Sequence, residues 1–272
     1  MPFQRIIARG GSFDSELGNP QPRDNESRLT LVVKLHLRQM NPSGTAATGT
    51  LRDSGQNYTI TRWDNDSWTS FTRRVANMVD SVWDAKQFLT PPANLPQSVL
   101  REMMFPGPLG SGKAPYVSCH LDTRIQASES GSHASLRCYR LDTSETKTFR
   151  SYIQRNPGRD GGILVDRDVY YEIYHDADGL RFFNTVAHEV GHILGLDHPG
   201  GNSNSAAAYG TPGTPQYREV MGFGTNVTPR QAAPWKSRIK MHTDYRREWN
   251  VTATRPNQPT LEELMRAAIG SP

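Results

Sequence analysis

Two histidines four residues apart, with a third ten residues after the first, restrict this chain more than any other feature of its 272 residues. They stand in the run His188-Glu189-Val190-Gly191-His192-Ile193-Leu194-Gly195-Leu196-Asp197-His198. Positions four apart share one helix face, with Cβ atoms about 5–6 Å from each other. A helix here therefore lets His188 and His192 reach one ion, since zinc–nitrogen bonds are about 2.0–2.1 Å long. Continued to position 198, the same helix would carry His198 away from that ion. Gly195 resolves the conflict, because glycine takes the left-handed conformation that ends a helix and lets the chain turn back. Three neutral imidazoles leave a fourth position open, which is the arrangement of a catalytic zinc site. Glu189 follows the first ligand and points past the ion. It is placed to act as general base toward a metal-activated water and to pass the proton to a leaving amine.

The rest of the chain is read around this run. Residues 1–27 are polar and broken by Gly10-Gly11, Asn19-Pro20 and Pro22, which predicts a mobile arm. Leu29, Leu31, Val33, Leu35 and Leu37 alternate with mostly polar neighbours, predicting a strand over 28–40. Residues 41–65 are turn-rich. Trp68, Phe71, Val75, Met78, Val79, Val82 and Trp83 recur at helical spacing, predicting an amphipathic helix over 66–88 that Pro91-Pro92 end. A Pro/Gly-rich crossover covers 91–115. Two strands follow, at 116–128 and 134–142, and then an extended stretch over 163–174. The active-site helix is expected over 180–194 with Asp178 as its N-cap. Residues 199–257 show little periodicity, and Thr260-Leu261-Glu262-Glu263 opens a short C-terminal helix with Leu264, Met265 and Ala268 on its apolar side.

The hydrophobic fraction is 35%, with 23 Gly and 19 Pro, which predicts long ordered loops around a limited core. The formal charge of +4 is scattered, with no basic run, so nucleic-acid binding lacks support. Eighteen consecutive apolar residues occur nowhere, so no membrane span is expected. Cys119 and Cys138 fall on the two strands around the turn at 129–133, where either a disulfide or two buried thiols would fit.

The extended motif resembles the signature of the metzincin clan of zinc peptidases, His-Glu-x-x-His-x-x-Gly-x-x-His followed by a methionine turn. Arg218-Glu219-Val220-Met221-Gly222 is the candidate turn, with Met221 as the apolar base beneath the ligands. The resemblance implies an α+β, zincin-like fold. Its parts are a twisted, mainly parallel sheet with one antiparallel edge strand, a long helix, an active-site helix and a small irregular C-terminal subdomain ending in a helix. It implies three parts: a flexible arm over 1–27, an N-terminal subdomain over 28–198 and a C-terminal subdomain over 199–272. It also implies that 163–174 supplies the edge strand for an extended polypeptide substrate, and that residues after Met221 line the pocket beyond the scissile bond. Pro199-Gly200 after the third histidine is similar to serralysins, yet no calcium-binding Gly–Asp repeats follow. Phe223 stands where serralysins and astacins carry a transition-state tyrosine, which leaves Tyr209, Tyr217 and Tyr245 as other donors.

These residues together predict a zinc-dependent endopeptidase with one catalytic ion. Two other readings are a zinc hydrolase of a non-protein amide, such as a cell-wall crosslink, and a non-catalytic module ordered by zinc. Residues 1–11 carry no apolar stretch of signal-peptide length. The expectation is a protein that stays in the cytoplasm of its producer or leaves by a signal-independent route. An exported toxin or effector protease would have a secretion apparatus or an inhibitor protein as partner. Asp14 or Asp24 could then serve as a latency ligand from the arm. Two signals are set aside: Gly107–Lys113 lacks the Ser/Thr and the helix of a phosphate loop, and calcium at Asp176 and Asp178, with Asp166 or Asp168, is less economical than a plain turn.

Overall fold

The computed structural model describes residues 6–8, 12–21, 26–93, 95–96, 98, 115–155, 160–176, 179–201, 203 and 205–256. Its centre is strand β3 (Glu26–Gln39), whose Leu29, Leu31, Val33, Leu35 and Leu37 are all buried as their alternation requires. In chain order the other strands are β1 (Ile6–Ala8), β2 (Asp14–Gln21), β4 (Thr48–Asp53), β5 (Gln56–Thr61), β6 (Gln87–Thr90), β7 (Tyr116–Gln126), β8 (Ala134–Leu141), β9 (Tyr152–Gln154), β10 (Asp160–Val165), β11 (Glu172–Asp176), β12 (Gly179–Phe183) and β13 (Asn250–Thr252). The main sheet runs β13-β6-β7-β3-β8-β10-β9. Its four inner strands β7, β3, β8 and β10 are parallel, while β6, β13 and β9 add antiparallel strands on both flanks. The α+β class therefore holds, with more antiparallel strands than the single edge strand expected.

Helix α1 (Asn65–Trp83) starts at a reciprocal cap in which Asp64 accepts from the Ser67 N–H at 2.7 Å and the Ser67 hydroxyl accepts from the Asp64 N–H at 3.1 Å. Phe71, Val75, Val79 and Val82 bury one face of α1 in the main core. The helix stops at Trp83, short of the expected 88. Asp84 leaves the helix to accept from the Leu121 N–H, Ala85 takes a left-handed φ of +54°, and Gln87 onward joins β7 as β6.

The structure departs from the sequence reading elsewhere too. Residues 14–21, expected in a mobile arm, form β2 along one half of the β3 edge that β8 occupies in its other half. Asp14, Ser15 and Leu17 are buried there, and Asp14 pairs with Lys34 at 2.6 Å. Within the turn-rich 41–65 lies the hairpin β4–β5, made by Ser54 and Gly55 at φ +48° and +78°, the two-residue turn that suits strand twist. The stretch 163–174 is not the edge strand. Its β10 part is paired on both sides, a 3-10 turn (Asp166–Val169) breaks it, and β11 pairs only with β12; the edge is β9. The C-terminal helix expected at 260–268 lies outside the described residues, as do the glycine-rich loop at 107–113 and Asp178. A third helix in the described residues, α3 (Ala233–Thr243), buries Trp235 and Ile239 in the main core, with Trp83 and Trp235 rings 6.3 Å apart. No helix among the described residues is long and apolar enough to cross a membrane.

The two cysteines do not face each other, because β3 runs between their strands. Cys119 lies opposite Leu29 and Cys138 opposite Gln39, and both are free and buried. Burial pushes both thiols well above their ordinary range. A thiol reagent should therefore label neither cysteine in native buffer and both in denaturant without added reductant. Labelling of only one, or a need for reductant, would contradict this arrangement.

Candidate active site

The active-site helix α2 (Thr185–Ile193) begins five residues later than expected, since 179–183 is β12. Its cap is Asn184, whose side-chain oxygen accepts from the Ala187 N–H at 2.9 Å. It ends where glycine permits. Gly195 stands at φ +90°, its N–H donating to the His192 carbonyl and the Leu196 N–H to the Gly191 carbonyl, both at 3.0 Å. That pair of bonds is a Schellman ending, with the buried Leu196 as its apolar anchor. The reversal carries His198 back beside His188 and His192.

The three rings meet through Nε2: that of His198 lies 3.2 Å from both His188 Nε2 and His192 Nε2. Each Nδ1 faces a backbone carbonyl, of Val220 at 2.8 Å, Leu196 at 2.9 Å and Ser203 at 2.7 Å respectively. A carbonyl only accepts, so each Nδ1 must carry the proton and each Nε2 must offer a bare lone pair. Burial holds all three imidazoles below their ordinary pKa, hence neutral at pH 7. Three lone pairs pointed at one another cannot bond among themselves; a cation satisfies them. Tetrahedral zinc with bonds of about 2.0–2.1 Å would separate its nitrogens by about 3.3–3.4 Å, close to the spacing found. The donor set thus fits a zinc ion, with carbonyls behind the ligands as such sites require.

Met221 is fully buried and packs against the active-site helix at Gly191. A Cβ built on Gly191 would come within 2.2 Å of Met221 Sδ and 3.1 Å of the Trp83 ring, so Gly191 is where the sulfur packs against the helix. Trp83 also donates from Nε1 to the Ala187 carbonyl at 2.9 Å. The turn itself is anchored by Glu219, whose carboxylate accepts from Thr228 Oγ1 at 3.1 Å and Gln231 Nε2 at 2.6 Å.

Glu189 is buried, and its Oε2 accepts from the Ile153 N–H of β9 at 2.7 Å. Burial pushes its carboxyl up, against the lowering effect of that N–H and of Arg150. Asp168, also buried, accepts at Oδ2 from the Val165 N–H at 2.6 Å and from Ser151 Oγ at 2.5 Å, which fixes the approach to β9. Asp197 has no place among the rings; it faces Arg155 at 3.7 Å, while Arg155 itself donates to the His192 and Leu196 carbonyls.

Of the three tyrosines named as donors, only Tyr209 lies over the rings. It stacks 4.0 Å from His198, 5.5 Å from His188 and 4.5 Å from Phe223. Tyr217 instead packs on Phe223 and Arg181, and Tyr245 against the core. Arg150, Ile153 and Trp83 were not foreseen as site residues. Arg150 and Ile153 sit in or beside a three-residue strand, too short to leave a period, and Trp83 was read only as helix core. Among the other histidines, His36, His120, His133 and His242 are hydrogen-bonded elsewhere and His175 is exposed.

This is the metal-ligand geometry of a zinc hydrolase on an α+β scaffold. A family model described as matrixin, a metzincin family, matches residues 129–212, the stretch that holds β8, β9, β10, α2 and the loop to Tyr209. Over those residues the chain is similar to matrixins, and the clan resemblance rests on both match and motif, while Pro199-Gly200 resembles serralysins. No curated protein and no solved structure matches. The match and the histidine cluster together support a zinc metallopeptidase.

Two outcomes follow from this packing. Gly191→Ala should cost about 1–3 kcal/mol of stability, because the new methyl overlaps the buried Met221 sulfur; denaturant unfolding measures it, and an unchanged midpoint would show that the sulfur moves freely. Burial raises Asp168 from 3.8 to about 7. A carboxyl raised on folding favours the fold when protonated, so its contribution is full below pH 3.8 and is lost as pH rises through about 7. Asp168→Asn should therefore flatten the decline of unfolding free energy with pH across that interval; an unaltered slope would assign the decline to other groups.

Proposed function

We propose that the chain is a zinc-dependent endopeptidase in which His188, His192 and His198 would hold the ion and Glu189 is the general base. The supporting observation is the convergence of three bare Nε2 atoms beside a buried carboxylate. A zinc ion held there supplies Lewis acidity, which polarises the substrate carbonyl and makes water acidic enough to attack at neutral pH.

The chain's own residues do the remainder. Glu189 takes a proton from the attacking water and returns it to the departing nitrogen, so one carboxylate serves as base and then as acid. The Ile153 N–H holds Oε2 and so aims the carboxylate into the cleft under β9. Beyond β9 no strand of the described sheet follows, and an extended polypeptide can add itself along that edge. The cleft below, about 650 Å³, is bounded by Tyr152, Ile153 and Gln154 above and by Glu189, His192 and His198 below.

Replacing Glu189 with Ala should leave one zinc per chain and lower kcat on a peptide library by about 10²–10⁴-fold. His192→Ala should lose the metal, as elemental analysis would record. An active Glu189→Ala protein would refute the assigned base, and an undiminished zinc content in His192→Ala would refute the ligand set.

A further inference from the structure

Six large hydrophobic side chains stand exposed among the described residues, and five of them lie between positions 170 and 182: Tyr170, Tyr171, Ile173, Leu180 and Phe182. The sixth, Met241, is on α3. The five belong to the β11–β12 hairpin and the residues that lead into it. β11 and β12 pair with each other and with no other described strand, so both outer edges are open.

The hairpin is built the wrong way round for a sheet that faces water. Register places Ile173 opposite Phe182 and His175 opposite Leu180 on one face, and Glu172 opposite Phe183 and Tyr174 opposite Arg181 on the other. Antiparallel sheets with one wet face bury the apolar side and solvate the polar one. Here the face that carries Glu172 and Arg181 is turned inward. Glu172 accepts from Thr185 Oγ1 at 3.1 Å and from Tyr174 Oη, and the Arg181 guanidinium lies 4.5 Å from the Tyr217 ring centre. Glu172, Tyr174 and Phe183 line a cavity of about 310 Å³ beside His188 and Glu189, together with Tyr209, to which Arg150 donates at 2.5 Å. The apolar face is turned outward, with Tyr171 and Phe182 edge to face at 6.1 Å.

Charge and place decide what covers it. A substrate in the cavity meets the inner face, not this one. A lipid bilayer would receive the hairpin tip first, and the turn there holds Asp176 and Asp178, which are costly to bring into lipid. A second copy brings the same apolar face and no carboxylate. The five side chains are between 42% and 58% exposed, which at roughly 200 Å² each leaves about 500 Å² open per copy. Two such patches in contact bury about 1,000 Å², the least that a specific interface needs. Met241 aside, the described surface has no other large apolar side chain exposed, so each patch meets its own equivalent across a two-fold axis and closes at two copies.

We propose that the chain forms a dimer in which the outward faces of two β11–β12 hairpins pack on each other. Ile173 and Phe182 form its centre, and His175 and Arg74, which lies 5.0 Å from the Tyr170 ring centre, form its rim. The second copy thereby backs the wall that Glu172, Tyr174 and Phe183 present to the cavity. The proposal holds whatever that cavity binds.

Sedimentation equilibrium of the full chain from about 1 to 100 µM tests it, the range in which so small an interface associates. The mass should rise from 30.4 kDa toward twice that value. Ile173→Glu and Phe182→Glu set like charges against each other at the axis and should each weaken association by about 100-fold or more, while Met241→Glu should not. Both positions are exposed, and an unchanged unfolding midpoint shows that each variant is folded. Ile173→Cys gives a second readout: mild oxidation should link two chains through it, since Cys119 and Cys138 are buried, and Met241→Cys should give no such link. A monomer at the highest concentration would overturn the proposal, as would a dimer that both glutamate variants leave intact. Flotation of that monomer with phosphatidylcholine–phosphatidylglycerol vesicles would then name a lipid surface as the cover. A dimer seen only after removal of residues 257–272 would likewise overturn it and name that segment.

Discussion

The hydrogen bond behind each imidazole governs what happens in front of it. A histidine left to itself presents either nitrogen to a partner and turns about two side-chain bonds. Here Val220, Leu196 and Ser203 each offer a carbonyl to an Nδ1, and the choice is removed: the proton sits at the back, the lone pair at the front. Those carbonyls come from the residue before Met221, the helix ending and the loop after the third histidine. Ring orientation is therefore set by backbone fixed in three different places. The helix contributes ligands at the right spacing, but it is the surrounding chain that makes them point at one another.

The sheet matters to the site mainly through its last two strands. β9 has three residues and one task visible at the site, the N–H of Ile153 that holds Glu189. It is kept in place by β10 on one side and by the Asp168–Ser151 bond at its entrance. On the other side of α2, Trp83 and Met221 press against Ala187 and Gly191. The helix that carries His188 and His192 is thus gripped between the end of the long helix and the buried sulfur, and its nearly complete burial leaves it little room to shift.

Where the sequence carried period or chemistry, it was legible. The β3 alternation and the α1 stripe were visible because each buries one face and leaves its neighbours polar. Gly195 was legible because three histidines at positions 188, 192 and 198 cannot meet on one straight helix. Elements set by tertiary partners were not legible. β2 looks like a polar arm because, among its described side chains, Asp14, Ser15 and Leu17 are the buried ones and Asp14 pairs with Lys34. The 179–183 segment has apolar residues at spacings a helix would also show, and only its pairing with β11 makes it a strand. α3 hides because, of its five buried residues, only Trp235 and Ile239 join the main core, among basic neighbours. Arg150 and Tyr209 lie 59 positions apart, so nothing in their local sequence could announce their contact.

The carbonyl of Val220 lies 32 positions after the histidine it holds, and Ile153 lies 36 positions before the carboxylate it holds. Neither contact can close until both of the segments that it joins are present. During synthesis the helix with its histidines emerges well before the turn that orients the first of them. A chain interrupted before position 220 carries the whole motif yet lacks the support behind His188. Order of assembly is thereby written into the site, and a competent metal centre signals that the chain has closed around it.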